Sequence, residues 1–200
     1  MKNTSDKRAR AKGAAKPLLF SSVGYQYLAE RMLATGLFEA GVLGRSMDSE
    51  GNPLPEEGPF ADGERYLRLM TNVEGRCVVI VAGTINDSET MDLLDLCHKM
   101  VEAGAEEIRV VVPYFGYSTM ERAVKPLEAV KAKTRALLIS SMLRGAPKAS
   151  VIMLDLHSEG IQHYFDYGIK THHVYAKPVI VESVKQLLIK HYATSRGLTR

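Results

Sequence analysis

Apolar positions along this chain fall into short dense runs separated by longer amphipathic stretches. PLLFSS (17–22), CVVIVAG (77–83), EIRVVVPY (107–114) and SVIMLDL (150–156) are nearly continuous apolar runs, the pattern of strands buried on both faces. RYLRL (65–69) and HHVYA (172–176) read as two further strands. Between these runs the spacing changes to that of helices. One helix spans 25–35, with Ser21 or Ser22 as cap and Gly36 as its end. A second carries Met91, Leu94, Cys97 and Val101, capped at Asn86, Asp87 or Ser88 and closed by Gly104. A third carries Val130, Leu137, Leu138 and Met142 and stops at Gly145 ahead of Pro147. A short turn or helix covers 161–165. The last helix opens at Pro178 and runs through Val184, Leu187, Leu188 and Tyr192. Residues 44–63, rich in glycine, proline and acids, form a loop.

Strands alternating with helices predict an α/β fold with a mostly parallel sheet and helices on both faces. Ligands of such sheets bind beyond the carboxyl ends of the strands, which directs attention to the loops 83–88, 114–126 and 156–160. The division expected is a tail over 1–16 and one α/β domain over 17–200.

Composition narrows the class. The chain has 200 residues, 46% of them hydrophobic and 24% charged, which excludes a disordered chain, a disulfide scaffold and a collagen-like repeat. The apolar runs fall far short of the roughly 20 residues a membrane helix needs. Six of the 26 basic residues lie in the tail, at Lys2, Lys7, Arg8, Arg10, Lys12 and Lys16, against the single acid Asp6, so the remainder, slightly acidic, is not a bulk electrostatic binder of nucleic acid. Cys77 and Cys97 share no metal-binding spacing and read as small apolar residues of a reduced, cytoplasmic protein.

Three constellations could carry chemistry. Asp155 and His157 close a strand and would alternate to one side of an extended chain; the pair is either a cation site or a satisfied Asp beside a surface His. Phe60, Asp62 and Glu64 leave the long loop; they either stack and hydrogen-bond an amino-bearing ring or form a solvated acidic turn. Pro113-Tyr114-Phe115-Gly116-Tyr117 is either core or a stacking surface, and Glu121, Arg122, Lys125, Lys131 and Lys133 beyond it are either an anion site or a solvated helix face. Neither a dinucleotide fingerprint nor a Walker phosphate loop is present.

In order, FADGE (60–64), VVPYFGY (111–117), LDLHSEGIQHYFD (154–166) and YAKPVI (175–180) resemble the N-terminal domain of the ribose-phosphate pyrophosphokinases, the phosphoribosyl pyrophosphate synthetases. The resemblance runs from about Pro17 to Tyr192 and implies a phosphoribosyltransferase-like domain. It further implies diphosphoryl transfer from ATP to ribose 5-phosphate with Mg2+, for nucleotide biosynthesis. On this chain it implies His157, with Asp155, as the metal contact. It implies Phe60, Asp62 and Glu64 as the adenine-facing set lent by a neighbouring subunit of a homo-oligomer. Where many members carry an Arg-Gln pair for ATP, this chain has Thr119 and Met120, a departure similar to the divergent plant-type class. Arg122 or Lys125 would then supply the missing cation. The resemblance stops after the first of the family's two domains. It therefore implies either the N-terminal half of an enzyme or a non-catalytic regulatory or scaffolding subunit that assembles with an active synthetase.

Overall fold

The computed structural model describes residues 15–43, 64 and 66–195. Its centre is a six-stranded sheet of β1 (Leu18–Ser21), β2 (Glu39–Ala40), β3 (Cys77–Val81), β4 (Glu107–Val112), β5 (Lys148–Leu154) and β6 (Lys170–Val174). The strand order is β2-β1-β3-β4-β5-β6 and every pair is parallel. Helices α1 (Gln26–Ala34), α2 (Asp87–Glu102), α3 (Lys131–Met142) and α4 (Lys177–Ser195) complete the chain order.

Alternation along each strand divides the core between the two faces. Leu18, Phe20, Val78, Ile80, Ile108, Val110, Val151 and Met153 pack with α2 and α3 on one face. Leu19, Val79 and Val81 pack with Tyr25 and Ala29 of the α1 region on the other. The predicted parallel sheet with helices on both faces is the observed one.

Several local expectations change. Residues 66–68 form no strand; Leu69 makes only an isolated antiparallel bridge to Leu43. That segment instead packs half-buried Leu67 and Leu69 on the core, while the sheet edge is taken by the short β2, which no strong apolar run announces. Ser22 precedes a 3-10 turn at Val23–Tyr25 but makes no side-chain cap. Asn86 does cap α2, its side chain accepting the Glu89 N–H at 2.8 Å. The buried stripe of α2 is Leu93, Leu94, Leu96, Cys97 and Met100, and Met91 is exposed. In α3 the inward residues are Ala132, Ala136, Ile139 and Ser140; small side chains let this helix lie close to the sheet, and Leu137 faces out. The stripe expected on the last helix exists, yet Val184, Leu187, Leu188 and Tyr192 are all exposed.

Candidate functional site

Because every strand is parallel, all the carboxyl ends share one edge of the sheet. Chain order reverses between β1 and β3, the position where ligands of such sheets bind. The loops on this edge are locked to one another. The Thr84 N–H donates to the Tyr114 carbonyl at 3.1 Å, and the buried Gly116 N–H donates to Thr84 Oγ1 at 2.7 Å. A Cβ on Gly116 would lie 1.8 Å from the Thr84 carbonyl oxygen, so the close approach of the two loops requires glycine there.

The aromatic run after β4 divides between the two roles left open by sequence. Phe115 is buried and meets Phe165 edge-on. Tyr114 is exposed. Tyr117 sits in the left-handed region at φ 58°, and its hydroxyl meets Asp87 at 3.3 Å. Lys131 Nζ and Arg135 Cζ each lie 4.8 Å from its ring centroid, a cation–π arrangement. Arg135 also pairs with Asp87. Sequence reasoning missed Arg135, because only the fold brings α3 beside the start of α2.

Thr119 lies exposed in the 3-10 turn Ser118–Met120. Arg122 is solvent-facing, with Nε 3.6 Å from Glu121. Lys125 is exposed, and its backbone N–H donates to Glu128 at 3.0 Å. The backbone N–H groups of Lys125 and Val124 hold the Glu128 carboxyl below its ordinary range.

The second loop begins at Asp155, whose φ of 41° takes it out of the extended conformation. The expected alternation of Asp155 and His157 to one side of a strand therefore does not apply: β5 ends at Leu154. Asp155 is anchored twice. Its N–H donates to the Val174 carbonyl at 3.0 Å, and its carboxylate accepts the Ala176 N–H at 3.0 Å. His157 follows, exposed. Left-handed backbone at a non-glycine residue costs roughly 1–2 kcal/mol. Three of the four such residues described, Tyr117, Leu127 and Asp155, lie in these two loops, as strained residues at ligand sites do.

The loops meet through the Tyr164 hydroxyl, which donates to the Glu121 carbonyl at 2.5 Å. The structure thus brings Thr119, Arg122, Asp155 and His157 to one edge. Glu64 is described and exposed, while Phe60 and Asp62 lie outside the described residues. No cluster of three or more His, Cys, Asp or Glu side chains suited to a metal occurs among the described residues. A carboxylate offers about four lone-pair positions, so Asp155 retains acceptor capacity beyond the Ala176 bond. One carboxylate and one imidazole at a loop suit Mg2+ only where phosphate oxygens and waters complete the shell.

Both cysteines are free; burial raises the Cys97 thiol pKa far above its ordinary value. No described helix is long and apolar enough to cross a membrane.

Residues 54–142 match the family described as the N-terminal domain of ribose phosphate pyrophosphokinase. The ribose-phosphate pyrophosphokinase of Gloeobacter violaceus is 36% identical over 132 residues, covering 64% of this chain and 37% of that protein. The enzyme of the same name from Methanothermobacter thermautotrophicus is 32% identical over 133 residues, covering 66% of this chain and 45% of that protein. The chain thus matches less than half the length of these relatives. The solved phosphoribosylpyrophosphate synthetase of Mycobacterium smegmatis superposes with a TM-score of 0.68 over 90% of this chain and 54% of its own, at 21% identity, which is a likeness of fold. With its parallel sheet, the two joined carboxyl-edge loops and these matches, the chain is similar over residues 54–142 to the N-terminal domain of ribose phosphate pyrophosphokinase.

Proposed function

We propose that this chain supplies the nucleotide- and magnesium-facing half of a ribose-phosphate diphosphokinase in the cytoplasm. The reaction moves the diphosphoryl group of ATP to ribose 5-phosphate, giving phosphoribosyl pyrophosphate and AMP. The match of residues 54–142 carries this reading. The joined loops support it, because such transfer depends mostly on positioning and on fixed charge.

His157 and Asp155 would hold Mg2+ against the ATP phosphates. When bound there, the ion neutralises charge on the phosphate oxygens. Arg122 and Lys125 lie exposed on the loop tied to that turn by Tyr164, and would meet phosphate. Thr119 offers a hydroxyl but no cation, so the charge falls to those two residues. Phe60 would stack on adenine while Asp62 and Glu64 accept its amino protons, contributed by a neighbouring copy in a homo-oligomer. Ribose 5-phosphate would be met largely by the half that the relatives possess beyond this match.

A second reading, a non-catalytic subunit assembling with an active synthetase, is favoured by the exposed apolar face of α4. The two are separated by titrating Mg2+-ATP into this protein and its His157→Ala variant, and by assaying ribose 5-phosphate-dependent AMP release. Tight Mg2+-ATP binding that weakens about tenfold or more in the variant supports the enzymatic half. Absence of Mg2+-ATP binding, with stable association to a full-length synthetase, supports the subunit.

A further inference from the structure

We infer that His173 is a positioning residue that pins the turn carrying Asp155 and His157. The inference adds to the proposed function, which supplies the role of that turn, but its geometry stands independently.

His173 lies on β6 in register with Met153 of β5, and its side chain is only 5% exposed. Its Nε2 accepts the Leu156 N–H at 3.0 Å. β5 has ended at Leu154, so this partly buried N–H lies past the strand ladder and takes its acceptor from a side chain. An Nε2 that accepts must carry no proton, which assigns the neutral ring its hydrogen on Nδ1. Nδ1 is buried with no hydrogen-bond partner among the described residues, and Glu159 Oε1 lies 4.0 Å away.

The surroundings hold the ring still. Tyr175 packs on it with ring centroids 4.3 Å apart, and the Tyr175 hydroxyl bonds the Glu159 carboxylate. Together with the Asp155 bonds to Val174 and Ala176, three ties fasten residues 155–156 to the end of β6 and the chain just beyond it. They sustain the left-handed Asp155 at φ 41°. Because His157 directly follows Leu156, fixing the Leu156 peptide fixes where the His157 side chain departs. A generic half-buried histidine would not need an unprotonated Nε2 aimed at one backbone N–H.

The test compares the whole chain with its His173→Leu and His173→Gln variants. Leucine keeps bulk and removes the acceptor, whereas the glutamine amide oxygen can still accept. Amide exchange at Leu156 should rise about tenfold in His173→Leu and return toward the original rate in His173→Gln. Broadening of the His157 ring signals by Mn2+-ATP should weaken in His173→Leu and recover in His173→Gln. The unchanged protein should show a 15N signature of an unprotonated, hydrogen-bonded Nε2 on His173, which tests the assignment even where His173→Leu fails to fold. A protonated Nε2, or Leu156 protection unaltered by His173→Leu, overturns the inference. If the unchanged protein shows no Mn2+-ATP broadening at His157, the nucleotide reading fails, and Leu156 exchange still decides whether His173 holds the turn.

Discussion

The Tyr164 hydroxyl donates to the Glu121 carbonyl at 2.5 Å across 43 residues of sequence, joining the loop after β4 to the loop after β5. Removing it as Tyr164→Phe leaves the half-buried ring in place and deletes one bond. The expected cost is about 1 kcal/mol, a fall of roughly 2–4 °C in Tm for a domain of this size. A melt unchanged within error would show that the two loops are held together by packing alone.

Gly116 should not tolerate a side chain. The Cβ of Gly116→Ala would meet the Thr84 carbonyl oxygen at 1.8 Å, and backbone on both sides leaves nothing flexible to yield. Destabilisation of about 3 kcal/mol or more is expected by chemical denaturation. Thr84→Val, which strands the buried Gly116 N–H, should cost about 1–3 kcal/mol. Equal stability of Gly116→Ala and the original would contradict the close approach of these loops.

Asn86→Ala removes the acceptor for the Glu89 N–H at the start of α2. The loss should be about 1 kcal/mol, with Asn86→Asp nearly neutral because a carboxylate caps equally well. Urea midpoints of the three proteins measure this directly.

Glu128 gives a pH dependence with a definite sign. Its carboxylate accepts from the Lys125 and Val124 N–H groups, in that order of effect, which lowers its pKa from the usual 4.5. A lowered folded value means that its contribution is present above the unfolded value and is lost as pH falls through the folded one. The amide shifts of Val124 and Lys125 should therefore titrate together with the Glu128 carboxyl, with a midpoint below 4.5. A midpoint at or above that value would remove the two hydrogen bonds from the account.

Leu187 on α4 is 66% exposed, so Leu187→Gln should alter folding stability by no more than about 0.5 kcal/mol. If copies of this chain meet through α4, the same substitution weakens their association in sedimentation experiments. Both proteins remaining monomeric at high concentration would take α4 out of any self-contact.

The apolar runs at 77–83, 107–114 and 150–156 and the helical spacing between them were sufficient to read an α/β fold with a parallel sheet. Burial on both faces leaves an unbroken apolar pattern that no other local structure explains as well. The residues bearing the family likeness were equally legible, because FADGE, VVPYFGY and LDLHSEG are contiguous. Other features depended on distance in space rather than along the chain. The 66–68 segment alternates like a strand, yet the sheet edge belongs to the two-residue β2; strand pairing is decided by which backbone reaches the edge, not by local pattern. Arg135 on Tyr117, Tyr164 on Glu121 and His173 on Leu156 join residues from different elements, and no spacing in one dimension announces such pairs. Asp155 shows the same division within one residue. Sequence placed it at the end of a strand, but its bonds to Val174 and Ala176 hold it left-handed, because a folded neighbour can impose a backbone conformation that the residue alone disfavours.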